Sequence, residues 1–303
     1  MIRVRVLSAW VQASRPLAHT LIAPPLLLGQ ALALALHGTF AWSSFAWIHG
    51  FGVLDQLFIL WLNDLSDVES DRGNQGFTRF SGGSRVLVDG KLAAVDLRNG
   101  TLVVLGLLIV AAAALATLGR RPLVPALIAA GVCLVAAYSL PPLRLAYRGG
   151  GELLQALGVG ALLPLFGYYV QTGTLEVFPW PVLAGALVVA LGANVTTSLP
   201  DHDADRASDK RTWTVRRGPR AARRESVFLI ALGTGALAAA CPLLGVWTRA
   251  VAACLACIPL ALNLCWLGTR SPEDRVAQEA FLTANGAAIT LAWLVPATAL
   301  ALR

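Results

Sequence analysis

The sequence predicts an all-α, polytopic integral membrane protein with nine transmembrane helices bundled around a central cavity. Two bulk properties lead to this class: 56% of the 303 residues are hydrophobic and only 14% are charged, a balance outside the usual range of soluble domains. The third observation is that apolar stretches recur along the whole chain, each long enough for the roughly 20 residues that cross a bilayer. We therefore expect one membrane-embedded domain over residues 1–303.

Nine apolar stretches approach this length, and most of the segments between them are short. Prolines inside some of the stretches are compatible with membrane helices, because neighbouring helices satisfy the backbone groups that proline leaves free. The predicted spans are 17–36, 41–62, 101–118, 121–140, 151–170, 180–200, 227–247, 249–267 and 280–301.

Lysine and arginine are distributed unevenly between the two sides that nine spans create. Of the 24 basic residues, 20 lie in the N-terminal segment and in the loops after the second, fourth, sixth and eighth spans. Because cytoplasmic loops are enriched in these residues, we predict a cell-membrane protein with a cytoplasmic N-terminus and an external C-terminus. The same side carries two long polar loops, 63–100 and 201–226, which we expect to cap the active site. This topology explains most of the net charge of +7, so binding to nucleic acid is not expected.

An acidic cluster, "NDLSDVESDRG", follows the second predicted span. Residues three, four and seven apart share one face of a helix, so Asp64, Asp67 and Asp71 are predicted to project together, with Asn63 beside them. Carboxylates this close repel one another, and Mg²⁺ prefers such oxygen ligands and commonly bridges to substrate phosphates. The alternative is a solvated helix end whose charges merely stop the span.

A second acidic cluster, "SLPDHDADRASDKRT", follows the sixth predicted span. When "DVESDRG" is aligned with "DHDADRA", a shift of 134 positions matches Asp67 and Asp71 with Asp201 and Asp205. This repetition predicts two related helical halves that present their acids to one cavity. Acids mixed with basic residues suit a diphosphate, whose charge is shared between Mg²⁺ and guanidinium groups. The neighbouring basic residues are Arg72, Arg79, Arg85, Lys91, Arg206, Lys210 and Arg211.

The two clusters resemble the UbiA superfamily of intramembrane prenyltransferases, whose members carry NDxxDxxxD after the second helix and DxxxD after the sixth. The resemblance covers most of the chain. It implies that both motifs bind Mg²⁺ and the diphosphate of a polyprenyl donor, while the apolar bundle holds the prenyl tail. The implied metal ligands are Asn63, Asp64, Asp67, Asp71, Asp201 and Asp205, with Asp67 and Asp201 as the catalytic pair. Together with the neighbouring basic residues, the expected diphosphate contacts are Arg15, Asn63, Arg72, Arg85, Tyr138 and Lys210.

Four further segments are similar to the branch that prenylates 1,4-dihydroxy-2-naphthoate, with decarboxylation, in menaquinone synthesis. They are "SGGSRVLVDGKL", "YSLPPLRLAYRGGGEL", "FGYYVQTG" and "KRT". The chain departs from that branch at Thr197, Ser198 and Pro200, where the branch has Asn-Asn and Arg, and at Asp209, where it has glycine. Transfer to another acceptor, such as 4-hydroxybenzoate or homogentisate, and cyclisation of the prenyl chain therefore stay open.

The predicted acceptor pocket consists of Asn194, Thr197 and Ser198. Asn194 lies seven residues before Asp201, so it can face the same cavity from inside the membrane; an interhelical hydrogen bond is the alternative. Outside the enzyme class, a cation-coupled transporter would also contain membrane acids. A transporter predicts acids near the midplane of several spans, whereas these clusters follow the ends of two.

Overall fold

The computed structural model describes residues 2–74, 83–241, 243–267 and 275–303. Within these ranges every regular element is a helix, so the all-α prediction is confirmed there. Arg79 and the first two residues of "SGGSRVLVDGKL" lie outside the described residues. The part of the chain that the structure describes contains both acidic motifs.

The described residues of the first half of the chain form seven helices and one 3₁₀ turn, Pro16–Leu21. The helices are α1 (Ile2–Ser14), α2 (Ala23–His37), α3 (Trp42–Ser66), α4 (Val68–Gly73), α5 (Ala94–Thr117), α6 (Val124–Ser139) and α7 (Leu145–Arg148).

The described part of the second half forms eight helices, and a π turn at Gly158–Leu162 joins the first two of them into one continuous segment. The helices are α8 (Gly151–Leu157), α9 (Leu163–Thr172), α10 (Pro181–Ser198), α11 (His202–Ala207), α12 (Trp213–Arg217), α13 (Pro219–Ala240), α14 (Val246–Leu267) and α15 (Arg275–Ala301).

Several described helices are long and apolar enough to cross a membrane, which agrees with the predicted multi-pass class. A bent pair, Val6–Leu21 with Ala23–His37, meets at 42° and would add a seventh span to six others. Helices also cover the remaining predicted spans. Of these, α6 is shorter than the helices that could cross a membrane, and α13 starts with several arginines. The count of nine spans and the central cavity therefore stay predictions. The six segments are Trp42–Ser66, Ala94–Thr117, Gly151–Thr172, Pro181–Ser198, Val246–Leu264 and Val276–Ala301.

Both polar loops are shorter than predicted, because helices extend beyond their apolar parts. The helix α5 begins at Ala94, with Asp96 in its first turn, where a negative charge interacts favourably with the helix dipole. The helix α13 begins at Pro219, directly after Gly218, whose φ is +79°, and proline is favoured at a first helical position. The predicted loop ends at residues 100 and 226 were therefore wrong, since arginine and alanine continue a helix readily.

Glycines allow two pairs of helices to pack closely. A side-chain carbon at Gly29 of α2 would overlap the backbone of Pro164 in α9, and one at Gly185 of α10 would overlap the backbone of Leu237 in α13. Small residues stabilise membrane bundles in this way, because van der Waals contact replaces the hydrophobic driving force that operates in water. The close contact fixes α10, which precedes the second acidic motif, against α13.

Candidate active site

The first acidic motif lies where α3 ends. The helix stops at Ser66, Asp67 has a non-helical backbone conformation (φ −110°, ψ 8°), and α4 starts at Val68. Contrary to the sequence prediction, the three acids therefore do not lie on one continuous helix, because the helix is interrupted at Asp67. Asp71 nevertheless stays close enough to Asp64 and Asp67 to interact with their charges.

Asp64 is buried and surrounded by donors from distant parts of the chain. Arg15 pairs with Oδ1 of Asp64 through its Nη2, and the Ser84 hydroxyl donates to Oδ2. The Ser84 backbone N–H also donates to Oδ1, at 3.3 Å. Hydrogen bonds to an ionised acceptor are stronger than neutral ones, so these contacts stabilise the Asp64 carboxylate. The arginine predicted to contact diphosphate is thus paired with a carboxylate in this structure.

Asp71 lies against Gly83, on the far side of the connecting loop. Gly83 has a φ of +64°, and a side-chain carbon there would overlap the Asp71 carboxylate. Burial, followed by the charges of Asp67 and Asp64, raises the pKa of Asp71 to about 6. Crowded carboxylates favour a nearby cation, because a positive charge offsets both the burial and the repulsion.

Asp67 is the point at which the two motifs meet. The Lys210 ammonium lies 2.8 Å from Oδ2 of Asp67 and 3.6 Å from Oδ1 of Asp205. The Tyr147 hydroxyl donates to the other oxygen, Oδ1 of Asp67, at 3.0 Å. Both oxygens of Asp67 therefore have a donor, and one buried lysine lies between an acid of each motif.

Protonation states at this junction follow from the same contacts. Burial by itself would lower the pKa of Lys210, but the charges of Asp67 and Asp205 raise it, so the ammonium stays charged. Burial, followed by the charge of Asp67, raises the pKa of Tyr147 to about 12. The tyrosine hydroxyl therefore keeps its proton at neutral pH and acts as a donor.

The second motif faces the first across the ends of α4 and α11. The Asn74 side-chain amide donates to Oδ1 of Asp201 at 3.2 Å, and the hydroxyls of Ser70 and Ser208 lie 3.0 Å apart. Burial raises the pKa of Asp205 to about 6, although Lys210 lowers it. The structure thus brings together the two clusters that the sequence places 134 positions apart.

The other predicted diphosphate contacts have different surroundings. Asn63 has a buried Oδ1 without a hydrogen-bond partner among the described residues. Arg85 donates to the backbone carbonyls of Asp71 and Asn74, at 3.0 and 3.3 Å. Arg72 is exposed and lines a surface cleft of about 410 Å³. Tyr138 lies near Asp67, Lys210 and Asp205, whose charges act on its hydroxyl.

The three residues of the predicted acceptor pocket do not share one environment. Asn194 has a buried Nδ2 without a partner in the described ranges. Thr197 is exposed and donates to the carbonyl of Asn194 at 3.1 Å. The Ser198 hydroxyl lies 2.5 Å from Oγ1 of Thr214 in α12. Asn194 is therefore the member of this set with a free donor for a ligand.

Sequence reasoning missed several residues that contact the motifs: Asn74, Ser84, Arg144 and Tyr147. Their signal was weak but present, since all four lie on the predicted cytoplasmic side in segments adjoining the acidic clusters or resembling the naphthoate branch. Which of them touches an aspartate depends on contacts across 20 to 127 positions, such as the contact between Asp67 and Tyr147.

The donor set fits Mg²⁺ that is shared between the protein and a substrate. Among the described residues, no three acidic, histidine or cysteine side chains form a group that could hold a metal ion. The unpartnered Oδ1 of Asn63 nevertheless lies at the end of α3 together with Asp64 and Asp67. Because Mg²⁺ is commonly bound by one or two carboxylates together with substrate phosphates and water, this arrangement suits a metal diphosphate.

Comparison with known proteins identifies the fold and the family. The model of the UbiA prenyltransferase family matches residues 22–295. The chain is similar to a UbiA homologue from Archaeoglobus fulgidus whose structure contains GPP and Mg²⁺, with a TM-score of 0.66 and 16% identity over 95% of this chain and 99% of that chain. It is also similar to a UbiA homologue from Aeropyrum pernix K1 in its apo form, with a TM-score of 0.66 and 20% identity over 89% and 95% of the two chains.

A third similar structure comes from work on a digeranylgeranylglyceryl phosphate synthase in membranes. Its TM-score is 0.65, with 15% identity over 98% of this chain and 99% of that chain. No curated protein sequence matches the chain. The structural likenesses, all at low identity, therefore establish the fold and leave the acceptor undecided.

Proposed function

The chain belongs to the UbiA prenyltransferase family, and on that premise we propose that it transfers a polyprenyl group from polyprenyl diphosphate to an aromatic acceptor. The reaction is Mg²⁺-dependent and takes place at the membrane. The observation that carries the proposal is the buried Lys210 ammonium between Asp67 and Asp205. It joins two acidic motifs into one charged site at the ends of apolar helices, which suits a substrate with an anionic head and an apolar tail.

The metal ligands in this proposal are carboxylates of both motifs and the Asn63 amide oxygen. The structure of the Archaeoglobus fulgidus homologue with GPP and Mg²⁺ supports the pairing of this metal with a prenyl diphosphate. When bound, Mg²⁺ would stabilise the negative charge of the departing diphosphate. The ligands are Asn63, Asp64, Asp67, Asp71, Asp201 and Asp205.

The basic residues have a second role in binding the diphosphate. Arg15 and Lys210 pair with carboxylates, and both can exchange these partners for phosphate oxygens when the substrate enters. Arginine suits this role because its planar group donates two parallel hydrogen bonds. Arg72, Arg85 and Tyr138 complete the proposed set. Preorganised donors around a leaving group are typically the largest contribution to catalysis of such a reaction.

The chemical step needs no nucleophilic side chain. The bond between the prenyl carbon and the diphosphate oxygen breaks, and the allylic cation is attacked by an electron-rich aromatic ring, which forms the new carbon–carbon bond. Apolar helices around the prenyl tail exclude water, which would otherwise quench the cation. The Asn194 amide, whose Nδ2 is buried without a partner among the described residues, can donate a hydrogen bond to an oxygen of the acceptor.

For the acceptor we propose 1,4-dihydroxy-2-naphthoate, whose carboxyl group leaves as carbon dioxide from the attacked ring position. Support comes from the four segments that resemble that branch, including "YSLPPLRLAYRGGGEL". The alternatives are 4-hydroxybenzoate, homogentisate or cyclisation of the prenyl chain. A cation-coupled transporter is disfavoured, because the acids lie at the ends of α3 and beyond α10. We also propose that the active site faces the cytoplasm.

The test is an assay of the purified protein in lipid vesicles with labelled polyprenyl diphosphate, Mg²⁺ and each aromatic acid in turn. We expect prenylated naphthoquinol without the carboxyl group, and the product mass distinguishes it from a product that keeps the group. Diphosphate release without an acceptor, together with a cyclic prenyl product, would indicate cyclisation. If no acceptor supports diphosphate release, the proposed transferase function is wrong.

A further inference from the structure

The segment from Leu145 to Glu152, which comprises α7 and the start of α8, contacts both acidic motifs although it belongs to neither. The Tyr147 hydroxyl donates to Asp67 of the first motif at 3.0 Å. The backbone carbonyl of the same tyrosine accepts a hydrogen bond from the Arg211 N–H at 3.2 Å. Arg211 follows Lys210 directly, so one residue contacts the first motif with its side chain and the second-motif loop with its backbone.

Two cations lie over the Tyr147 ring. The Arg144 guanidinium carbon is 3.7 Å from the ring centroid, and the Lys210 ammonium is 5.0 Å from it. Both distances are within the range of cation–π attraction. Because Lys210 also lies 2.8 Å from Asp67, the tyrosine contacts both members of this ion pair.

Arg144 links the same segment to the end of α3. Its Nη2 donates to the carbonyl of Ser66, the last residue of the helix, at 2.9 Å, where a positive charge is favourable. Arg144 has a φ of 42°, a conformation that is costly for a residue with a side chain and that persists where surrounding contacts fix it. The residue that follows Ser66 is Asp67, so this contact holds the backbone from which the carboxylate projects.

The loop that carries Lys210 is attached to the segment at two further points. The buried Glu152 carboxylate accepts a hydrogen bond from the Trp213 N–H at 2.5 Å. Gly149 has a φ of +85°, and a side-chain carbon there would approach the Arg211 carbonyl to 3.0 Å. The loop is therefore held against the segment at Arg211 and Trp213, which lie directly after Lys210.

We propose that Tyr147 is a positioning residue that orients Asp67 and Lys210 for the metal diphosphate, and that the Leu145–Glu152 segment thereby couples the two motifs. The inference rests on the proposed function. A carboxylate with one donor can rotate about its terminal torsion, whereas donors on both oxygens fix its plane. Residues that orient metal ligands in this way typically change metal affinity 10- to 100-fold when they are removed.

The decisive variant is Tyr147→Phe, which keeps the ring and its stacked cations but removes the hydroxyl. Mn²⁺ serves as a spectroscopic substitute for Mg²⁺ and is titrated by electron paramagnetic resonance without diphosphate. We expect its dissociation constant to rise about 10-fold in this variant. The Mg²⁺ concentration for half-maximal diphosphate release should rise by a similar factor.

Tyr169→Phe is the matched control. Tyr169 is buried in α9, and its hydroxyl accepts one hydrogen bond, from the Leu123 N–H at 3.2 Å, so the same atom is lost at a site that does not contact either motif. We expect wild-type metal binding from this control. The inference would be overturned if Tyr147→Phe had the wild-type dissociation constant for Mn²⁺. It would also be overturned if Tyr169→Phe lost as much Mn²⁺ affinity as Tyr147→Phe.

Two further variants separate positioning from folding. Tyr147→Leu also removes the ring beside Lys210, so we expect an added rise in KM for the prenyl diphosphate that Tyr147→Phe does not show. Arg144→Gln leaves Tyr147 in place but removes the contact with Ser66, and it should weaken Mn²⁺ binding, with Arg144→Lys restoring part of the loss. If Tyr147→Phe does not fold, unchanged Mn²⁺ binding in Arg144→Gln contradicts the coupling.

The Mn²⁺ titration also keeps this inference distinct from the proposed function. A wild-type protein that binds Mn²⁺ but never releases diphosphate contradicts the prenyltransferase proposal, while the two tyrosine variants still decide the role of Tyr147. An active wild type together with an unaffected Tyr147→Phe contradicts the positioning role and leaves the function intact.

Discussion

The two acidic motifs have similar sequences, but their carboxylates are held differently. In the first motif, Asp64 is bound by Arg15 and Ser84, and Asp67 by Tyr147 and Lys210. These partners lie 20 to 143 positions away. In the second motif, Asn74 contacts Asp201 across 127 positions, but Lys210 contacts Asp205 from within the same loop. Because a buried carboxylate requires a compensating donor, the first motif depends on the assembled fold, whereas Asp205 has a local partner.

The largest effect is expected at the residue that joins the motifs. Asp67→Asn removes the charge that binds Lys210 and the proposed metal, so diphosphate release should fall roughly 100- to 1000-fold, as for other losses of transition-state charge stabilisation. The control is Asp96→Asn, an exposed acid at the start of α5, which should keep wild-type activity. If Asp67→Asn keeps more than a tenth of the wild-type rate, the contact between the two motifs at Asp67 is not essential for diphosphate release.

The shared lysine is expected to have the largest effect on stability. Lys210→Met leaves Asp67 and Asp205 without their buried cation, which should lower the free energy of unfolding by about 3 kcal/mol. Added Mg²⁺ should raise the melting temperature of this variant more than that of the wild type. Lys91→Met, at a lysine whose side chain is 45% exposed, serves as the control. Equal melting temperatures for the two variants would contradict this role of Lys210.

An intermediate effect is expected from the glycine beside the first motif. Gly83→Ala places a carbon where the Asp71 carboxylate lies, so the Mg²⁺ requirement should rise about 10-fold, the lower end for a displaced metal ligand. Gly90→Ala is the matched control, because Gly90 has nearly the same φ, +63°, but nothing within 4 Å. A similar Mg²⁺ requirement in both variants would attribute the effect to backbone strain.

The smallest effects are expected at Glu69 and Asp203. The shift of 134 positions matches these two acids with each other, but the family motifs do not include them. Glu69 and Asp203 are both exposed, and exposed substitutions typically change free energies by less than about 0.5 kcal/mol. Glu69→Gln and Asp203→Asn should therefore change the Mg²⁺ requirement by about twofold or less. A larger change in only one of them would show that the two motifs bind metal unequally.

The sequence by itself determined the fold class, the position of the main helices and the two acidic motifs. The second predicted span, 41–62, overlaps α3, and the sixth, 180–200, overlaps α10. These features are local, because apolar length and composition decide whether a segment can cross a bilayer. The same local information did not predict that helices reach into the polar loops. The first turns of α13, for example, are rich in arginine and lie within the predicted loop 201–226.

Only the tertiary structure decided which side chains surround the aspartates. The sequence contains Tyr147, Ser84 and Asn74, but it does not show that they bind Asp67, Asp64 and Asp201. The contact of Arg144 with Ser66, at the end of α3, likewise spans 78 positions. Hydrogen bonds over such separations form only after helices have packed, so the chemistry of each motif is local while its geometry is a property of the whole bundle.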